Sequence, residues 1–305
     1  MTDVPPALRS FRPRALPLQG LFLALLVFLA AGPAPARASD RLGLRSYAVL
    51  VVDRDTGEPL ISKNADEVVP IASLTKLMTA LVVLEGHPAM GETLEIDDAD
   101  VDHEKHTHSR LSVGTRLPRS TMLLLALMSS ENRAANALSR SYPGGRRAFI
   151  ARMNSRAREL GMSSTHFADP AGLSDDTTST ARDLLRLMNA ASAQSVIRYD
   201  STHEEETVRV RGRQVKFIST NRMVRSGDDN WDIELQKTGF TNEAGRCLVM
   251  RANVLNRRLS MVFLNSAGTL TRFADARRVR DQIALHRLDQ TRPKTADTAL
   301  VKGTS

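Results

Sequence analysis

Three short groups of residues in this chain could do chemistry together: Ser73-Leu74-Thr75-Lys76, Ser130-Glu131-Asn132 and Lys237-Thr238-Gly239. A serine hydroxyl is a weak nucleophile at neutral pH and needs a base to take its proton. Residues three apart on a helix share a face, so Lys76 is expected beside Ser73. A serine at a helix start also stands near the positive end of the helix dipole. Lys76 can accept a proton only as a neutral amine, and burial or a second nearby cation lowers a lysine pKa. Lys237 is the candidate second cation. Ser130 can relay a proton to a leaving amine, and Asn132 can hold a substrate amide. Lys237 and Thr238 suit a substrate carboxylate. Gly239 leaves room for an extended peptide along a strand edge. This scheme requires no metal and no cofactor.

Each motif alone is common, so their order and setting carry the weight. Ser46–Asp53 is rich in valine and reads as a strand, followed by a turn at Asp55-Thr56-Gly57-Glu58 and a returning strand from Pro59. Ile71–Leu84 is apolar at helical spacing, so S-x-x-K opens a helix after a hairpin. Further helices are predicted over Pro118–Met128, Glu131–Ser141 (ended by Gly144-Gly145), Arg147–Leu160 and Thr180–Ala193, the last capped by Ser179 or Thr180. S-x-N therefore falls between two helices. Strands follow at Glu206–Arg211, Val215–Ser219, Ile233–Thr238, Arg246–Val254 and Leu259–Ser266, with K-T-G at the end of one of them and a turn at Asn256-Arg257-Arg258. Thr271–Arg287 reads as a last helix. Strands at both ends with helices between predict one α/β (α+β) domain over residues 40–287. Residues 288–305 are polar and aperiodic and read as a disordered tail, with no second domain after them.

At 305 residues, 42% hydrophobic and 25% charged, the chain can bury a core. Arg9, Arg12 and Arg14 precede an apolar run from Leu21 to Ala31, and small residues end at Ala36-Arg37-Ala38. That run is too short for the roughly 20 residues that span a bilayer. The pattern predicts a secretory signal peptide over residues 1–38, cleaved after Ala38, and a periplasmic mature protein. The segment carries +3 of the chain's +8, leaving +5 on the remainder. A modest positive surface suits an anionic polymer or at most a peripheral place on a membrane, and 4% aromatics without basic clusters argues against nucleic acid. Cys247 is the lone cysteine, so no intrachain disulfide can form, and it reads as a small buried hydrophobe.

With these segments in view, the chain resembles the D-alanyl-D-alanine carboxypeptidase/endopeptidase family of low-molecular-mass penicillin-binding proteins. Pro70–Ala80 (PIASLTKLMTA) is similar to the family's nucleophile segment. Met122–Ala135, Tyr142-Pro143-Gly144-Gly145, Lys237–Asn242 with Ala244-Gly245, and Phe273–Ala276 resemble its D-alanyl-D-alanine endopeptidase (penicillin-binding protein 7) branch. The likeness covers about residues 44–285. It implies a β-lactamase/transpeptidase-like fold, a mainly antiparallel sheet flanked by helices on both faces. It also implies a peptidoglycan peptide as substrate and β-lactams as covalent inhibitors. Position by position, it makes Ser73 the acylated nucleophile, Lys76 its general base and Ser130 the proton relay. Asn132 becomes a substrate contact, Lys237 and Thr238 bind a carboxylate, and the backbone N–H groups of Ser73 and Phe240 form the oxyanion hole. The alternatives are a D-alanyl-D-alanine carboxypeptidase, a class A-like β-lactamase and a non-catalytic wall-binding module. Against the β-lactamase stands Glu159, which is followed by Leu160-Gly161-Met162-Ser163 and not by the x-x-Leu-Asn that such an enzyme carries. Against the binding module, every catalytic residue is in place. His103, His106 and His108 could suggest a metal, but an exposed loop is the expected reading.

Overall fold

Alternate residues of a strand point to opposite faces, and the first strand, β1 (Ser46–Asp53), is apolar on both. It must therefore lie inside a sheet covered on both sides. In the structure, a computed structural model that describes residues 42–227 and 231–290, it does. The signal peptide expected over residues 1–38 lies outside the described residues, as does the expected tail beyond Gln290.

β2 (Pro59–Lys63) returns antiparallel to β1 after a turn in which Gly57 has φ +73°. The short β3 (Val69–Pro70) leads into a 3-10 turn, Ala72–Thr75, and then helix α1, Lys76–Glu85. β4 (Thr93–Glu95) and β5 (Arg116–Pro118) pair with each other. Helices α2 (Arg119–Met128), α3 (Asn132–Arg140) and α4 (Gly145–Glu159) follow. β6 (Thr178–Ser179) pairs with β3, and α5 (Ala181–Ser192) and α6 (Ser195–Thr202) come next. β7 (Glu205–Val210) and β8 (Arg213–Ile218) form a hairpin of their own, and α7 (Arg222–Arg225) ends this part. β9 (Asp232–Thr241), β10 (Gly245–Val254) and β11 (Arg257–Ser266) complete the sheet, and α8 (Thr271–Gln290) closes the described chain.

The main sheet runs β2-β1-β11-β10-β9, antiparallel throughout. Ala48 and Leu50 enter a core shared with α1 through α6, whereas Val49 and Val51 enter a second core with Phe273, Ala276 and Val279 of α8. Leu74, Leu77 and Leu81 are wholly buried in the larger core. A leucine so placed is worth about 2–5 kcal/mol against alanine. Asp275 of α8 ties the second layer down: its carboxylate accepts from the Ser46 N–H and hydroxyl, both at 2.7 Å.

Several boundaries differ from expectation for local reasons. Gly144 does not end the third helix. It has φ +85° and caps the start of α4, while α3 stops at Arg140. The β10–β11 turn is made by Leu255 and Asn256, both at positive φ, so Arg257 is already in the strand. Thr180 is the N-cap of α5, its side chain accepting from Asp183 N–H. K-T-G lies inside β9 and does not end it, because the strand continues to Thr241 against Gly245. α8 runs to Gln290, three residues past its expected end.

Candidate active site

The serine motif begins with backbone strain. Ala72 has φ +47°, a left-handed conformation costing a residue with a Cβ roughly 1–2 kcal/mol. The Thr75 hydroxyl holds the turn by donating to Ala72 O at 2.7 Å. Ser73 is partly exposed on this turn, and Lys76 is wholly buried at the start of α1. Lys76 Nζ has three oxygens at 2.7 Å: Ser73 Oγ, Asn132 Oδ1 and Ala171 O. The latter two can only accept. A neutral amine must therefore spend its two N–H groups on them and turn its lone pair to Ser73 Oγ. Burial pushes the Lys76 pKa down to about 7, while the carboxylates of Asp169 and Glu131 pull the other way.

Ala171 O is delivered by a loop wound around one carboxylate. Asp169 accepts from the N–H groups of Ala171, Gly172, Leu173 and Ser174 at 2.6–3.1 Å and from the Thr177 hydroxyl at 3.1 Å. Gly172 sits here at φ +76°, and a Cβ on it would come within 1.9 Å of Ala72 O. Gly172→Ala is expected to force the loop off the serine turn, costing about 2–5 kcal/mol from strain plus overpacking. Melting temperature and penicillin labelling should both fall. Unchanged values for both would show that the loop does not depend on this close approach.

Ser130, the second motif's serine, also has a left-handed backbone, φ +62°. Its Oγ accepts from Lys237 Nζ at 2.9 Å. Between Ser130 and Asn132, the Glu131 carboxylate accepts from Ser109 Oγ at 2.6 Å and Arg110 N–H at 3.2 Å, tying the motif to the loop before it.

Lys237 is wholly buried. Burial, then the positive charges of Lys76 and Arg272, hold it well below the usual lysine range. Thr238 Oγ1 lies 2.5 Å from Thr220 Oγ1. A Cβ on Gly239 would lie 2.9 Å from Ile71 O and 3.2 Å from Ser73 N. The room expected there for a peptide is thus taken by the serine turn, which lets β9 lie against the nucleophile. β9 is the edge strand, and at Gln236 α6 already covers it, Gln236 Nε2 donating to Ser201 O at 2.6 Å. Phe240 is 49% exposed, with the Arg246 guanidinium 4.1 Å above its ring.

The predicted residues therefore converge. Ser73, Lys76 and Asn132 share one hydrogen-bonded group, Ser130 and Lys237 a second, and Gly239 seats the two strand-side residues beside Ser73. Sequence reasoning missed Asp169, Ala171, Arg272 and Thr107, whose Oγ1 accepts from Asn132 Nδ2 at 2.8 Å. Asp169-Pro170-Ala171-Gly172 carries a turn signal that could have been read. Arg272, 6% exposed, has an Nε with no hydrogen-bond partner, and burial and then Arg246 lower its pKa to about 10. Cys247 is fully buried and its thiol is pushed up to about 11, chiefly by burial, which fits a packing residue. Glu159 is occupied by Arg152 and Arg156 of its own helix. His103, His106 and His108 are exposed on a loop, as expected, and that loop is hydrogen-bonded around Asp102. Among the described residues no group of three or more His, Cys, Asp or Glu side chains is placed to hold a metal ion.

The family model described as D-alanyl-D-alanine carboxypeptidase matches residues 35–268. A D-alanyl-D-alanine endopeptidase of Pseudomonas aeruginosa is 44% identical over 274 residues, 88% of each chain. One from Escherichia coli is 42% identical over 252 residues, 82% of this chain and 81% of the relative. Among solved structures, a mutant of the Streptomyces K15 DD-transpeptidase superposes with a TM-score of 0.71 at 27% identity, covering 78% of this chain and 97% of the other. Penicillin-binding protein D2 from Listeria monocytogenes, in its cefotaxime-bound form, gives 0.65 at 30% identity over 78% and 96%.

Proposed function

The chain belongs to the D-alanyl-D-alanine carboxypeptidase family of serine peptidases, and on that premise we propose that it is an endopeptidase that cuts D-Ala-containing peptide cross-links of peptidoglycan through an acyl-enzyme on Ser73. The observation that carries this reading is the Lys76 environment, in which two acceptor-only oxygens leave the amine lone pair for the Ser73 hydroxyl. Neutral Lys76 takes the hydroxyl proton as Ser73 Oγ attacks the D-Ala carbonyl carbon. The Ser73 and Phe240 N–H groups receive the oxyanion, donors typically worth about 3–4 kcal/mol each in such sites. Ser130, held by Lys237, relays that proton from Lys76 to the departing amine, and water then releases the acyl group from Ser73. A substrate carboxylate arriving at Lys237 and Thr238 would favour the charged form of Lys237, which burial disfavours. Residues 1–38 are proposed as a cleaved export signal and the periplasm as the site of action, in keeping with a wall substrate. The +5 remainder is suited to staying on an anionic wall, a term that salt screens.

The endopeptidase assignment follows the activity for which the Pseudomonas aeruginosa and Escherichia coli relatives are named. Purified cross-linked dimeric muropeptide and monomeric pentapeptide, offered at equal concentration, test it by mass spectrometry. Dimer should be converted to monomers with little free D-Ala. Rapid D-Ala release with dimer left intact would move the protein to the carboxypeptidase class.

A further inference from the structure

The loop at residues 102–110 is built around a buried carboxylate that the reaction scheme above does not use. Asp102 is 8% exposed. Its Oδ1 accepts from the N–H groups of Glu104 and Lys105, each at 2.9 Å, and its Oδ2 from Thr107 N–H at 2.8 Å. Burial alone would raise its pKa, but these donors and the Thr107 hydroxyl hold it below the usual carboxylate range. An ionised carboxylate only accepts. The one proton of Thr107 Oγ1 is therefore committed to Asp102 Oδ2, at 2.7 Å. That leaves Thr107 Oγ1 able only to accept from Asn132, whose Nδ2 lies 2.8 Å away. With its NH2 end taken by Thr107, Asn132 has to present its oxygen to Lys76 Nζ, at 2.7 Å.

We propose that Asp102 and Thr107 are positioning residues, which hold the Asn132 amide oxygen toward Lys76 and so reserve the Lys76 lone pair for Ser73. The proposal rests on the reading of Ser73 and Lys76 as nucleophile and base. Were the amide reversed, its NH2 would donate to the neutral Lys76 nitrogen. That would occupy the lone pair Ser73 needs and would also stabilise the uncharged form of Lys76. The other titratable groups facing Lys76 would be unchanged: Asp169 from the loop after α4, Glu131 before α3 and Lys237 from β9. A reversed amide therefore lowers the acylation rate and moves its acid limb to lower pH.

The test is the second-order rate of acylation by benzylpenicillin, followed by intact mass from pH 5 to 9, with a thermal melt of every variant. Thr107→Val keeps the shape and removes the hydroxyl. It should slow acylation roughly tenfold to a hundredfold, the scale of one buried donor left without an acceptor, and shift the acid limb down. Asp102→Asn frees the Thr107 hydroxyl to rotate and should give the same signature. Thr107→Ser, which restores the hydroxyl, should recover both rate and limb. Acylation of Thr107→Val at the wild-type rate, or a slower rate with an unmoved limb, would overturn the proposal. The second result would assign the loop a merely structural role. Wild-type protein that is not acylated at all would overturn the Ser73 reading, and the positioning role with it.

Discussion

Ser73→Ala should carry no covalent adduct after exposure to a penicillin, whereas the parent chain should gain one, mapped to the peptide containing Ser73. Turnover of cross-linked muropeptide should fall by roughly 10⁴-fold or more, since removal of a serine nucleophile leaves only binding and oxyanion stabilisation. The substitution removes one partly exposed oxygen from a turn that Ile71 O, Leu74 N and Thr75 Oγ1 hold without it. The fold should accordingly survive, and circular dichroism of the variant would show it. An adduct that persists in folded Ser73→Ala would place the nucleophile elsewhere and remove the basis of the proposed mechanism.

Lys76→Met is expected to have the next largest effect. Methionine keeps most of the buried stem and deletes the amine, leaving Asn132 Oδ1 and Ala171 O without their donor. Loss of a general base typically costs 10²–10⁴-fold, so acylation should slow by about that factor. The magnitude of the pKa shift shows why burial matters. At the ordinary lysine value of 10.5, roughly one molecule in 3,000 would hold a neutral amine at pH 7. At about 7, half do. Because burial lowers this basic group, the competent neutral form is full above pH 7 and falls about tenfold per pH unit below it. The wild-type acylation rate should follow that limb, and Lys76→Met should abolish it. Normal acylation by Lys76→Met, or a wild-type rate flat from pH 5 to 9, would show that another group is the base.

The parts of the fold that came out of local patterning are those where one segment settles its own structure. The strand at Ser46–Asp53 and the helices beginning near Arg119 and Ala181 show their period or their cap in consecutive residues. α6 escaped because Ser195-Val-Ile-Arg-Tyr-Asp-Ser-Thr is poor in helix formers. It exists by burying Ile197 and by seating Ser201 against Gln236 of β9. Gly239 read as a strand end because glycine usually weakens strands. Inside β9 it is required instead by a backbone more than 160 residues earlier in the chain, at Ile71 and Ser73.

By itself, the sequence pointed to the family and to the serine and lysine motifs that the fold brings together, because motif spacing and strand or helix period are local properties that survive in one dimension. Only the tertiary structure decided whether Lys76 could act as a base. That depends on full burial and on Asn132 and Ala171, 56 and 95 residues away. It alone brought the Asp102 and Asp169 loops, each wound locally around its own carboxylate, against Asn132 and Lys76 through Thr107 and Ala171. Such contacts leave no periodic trace in the chain, because a hydrogen bond fixes the distance between two groups in space and nothing about their separation in sequence.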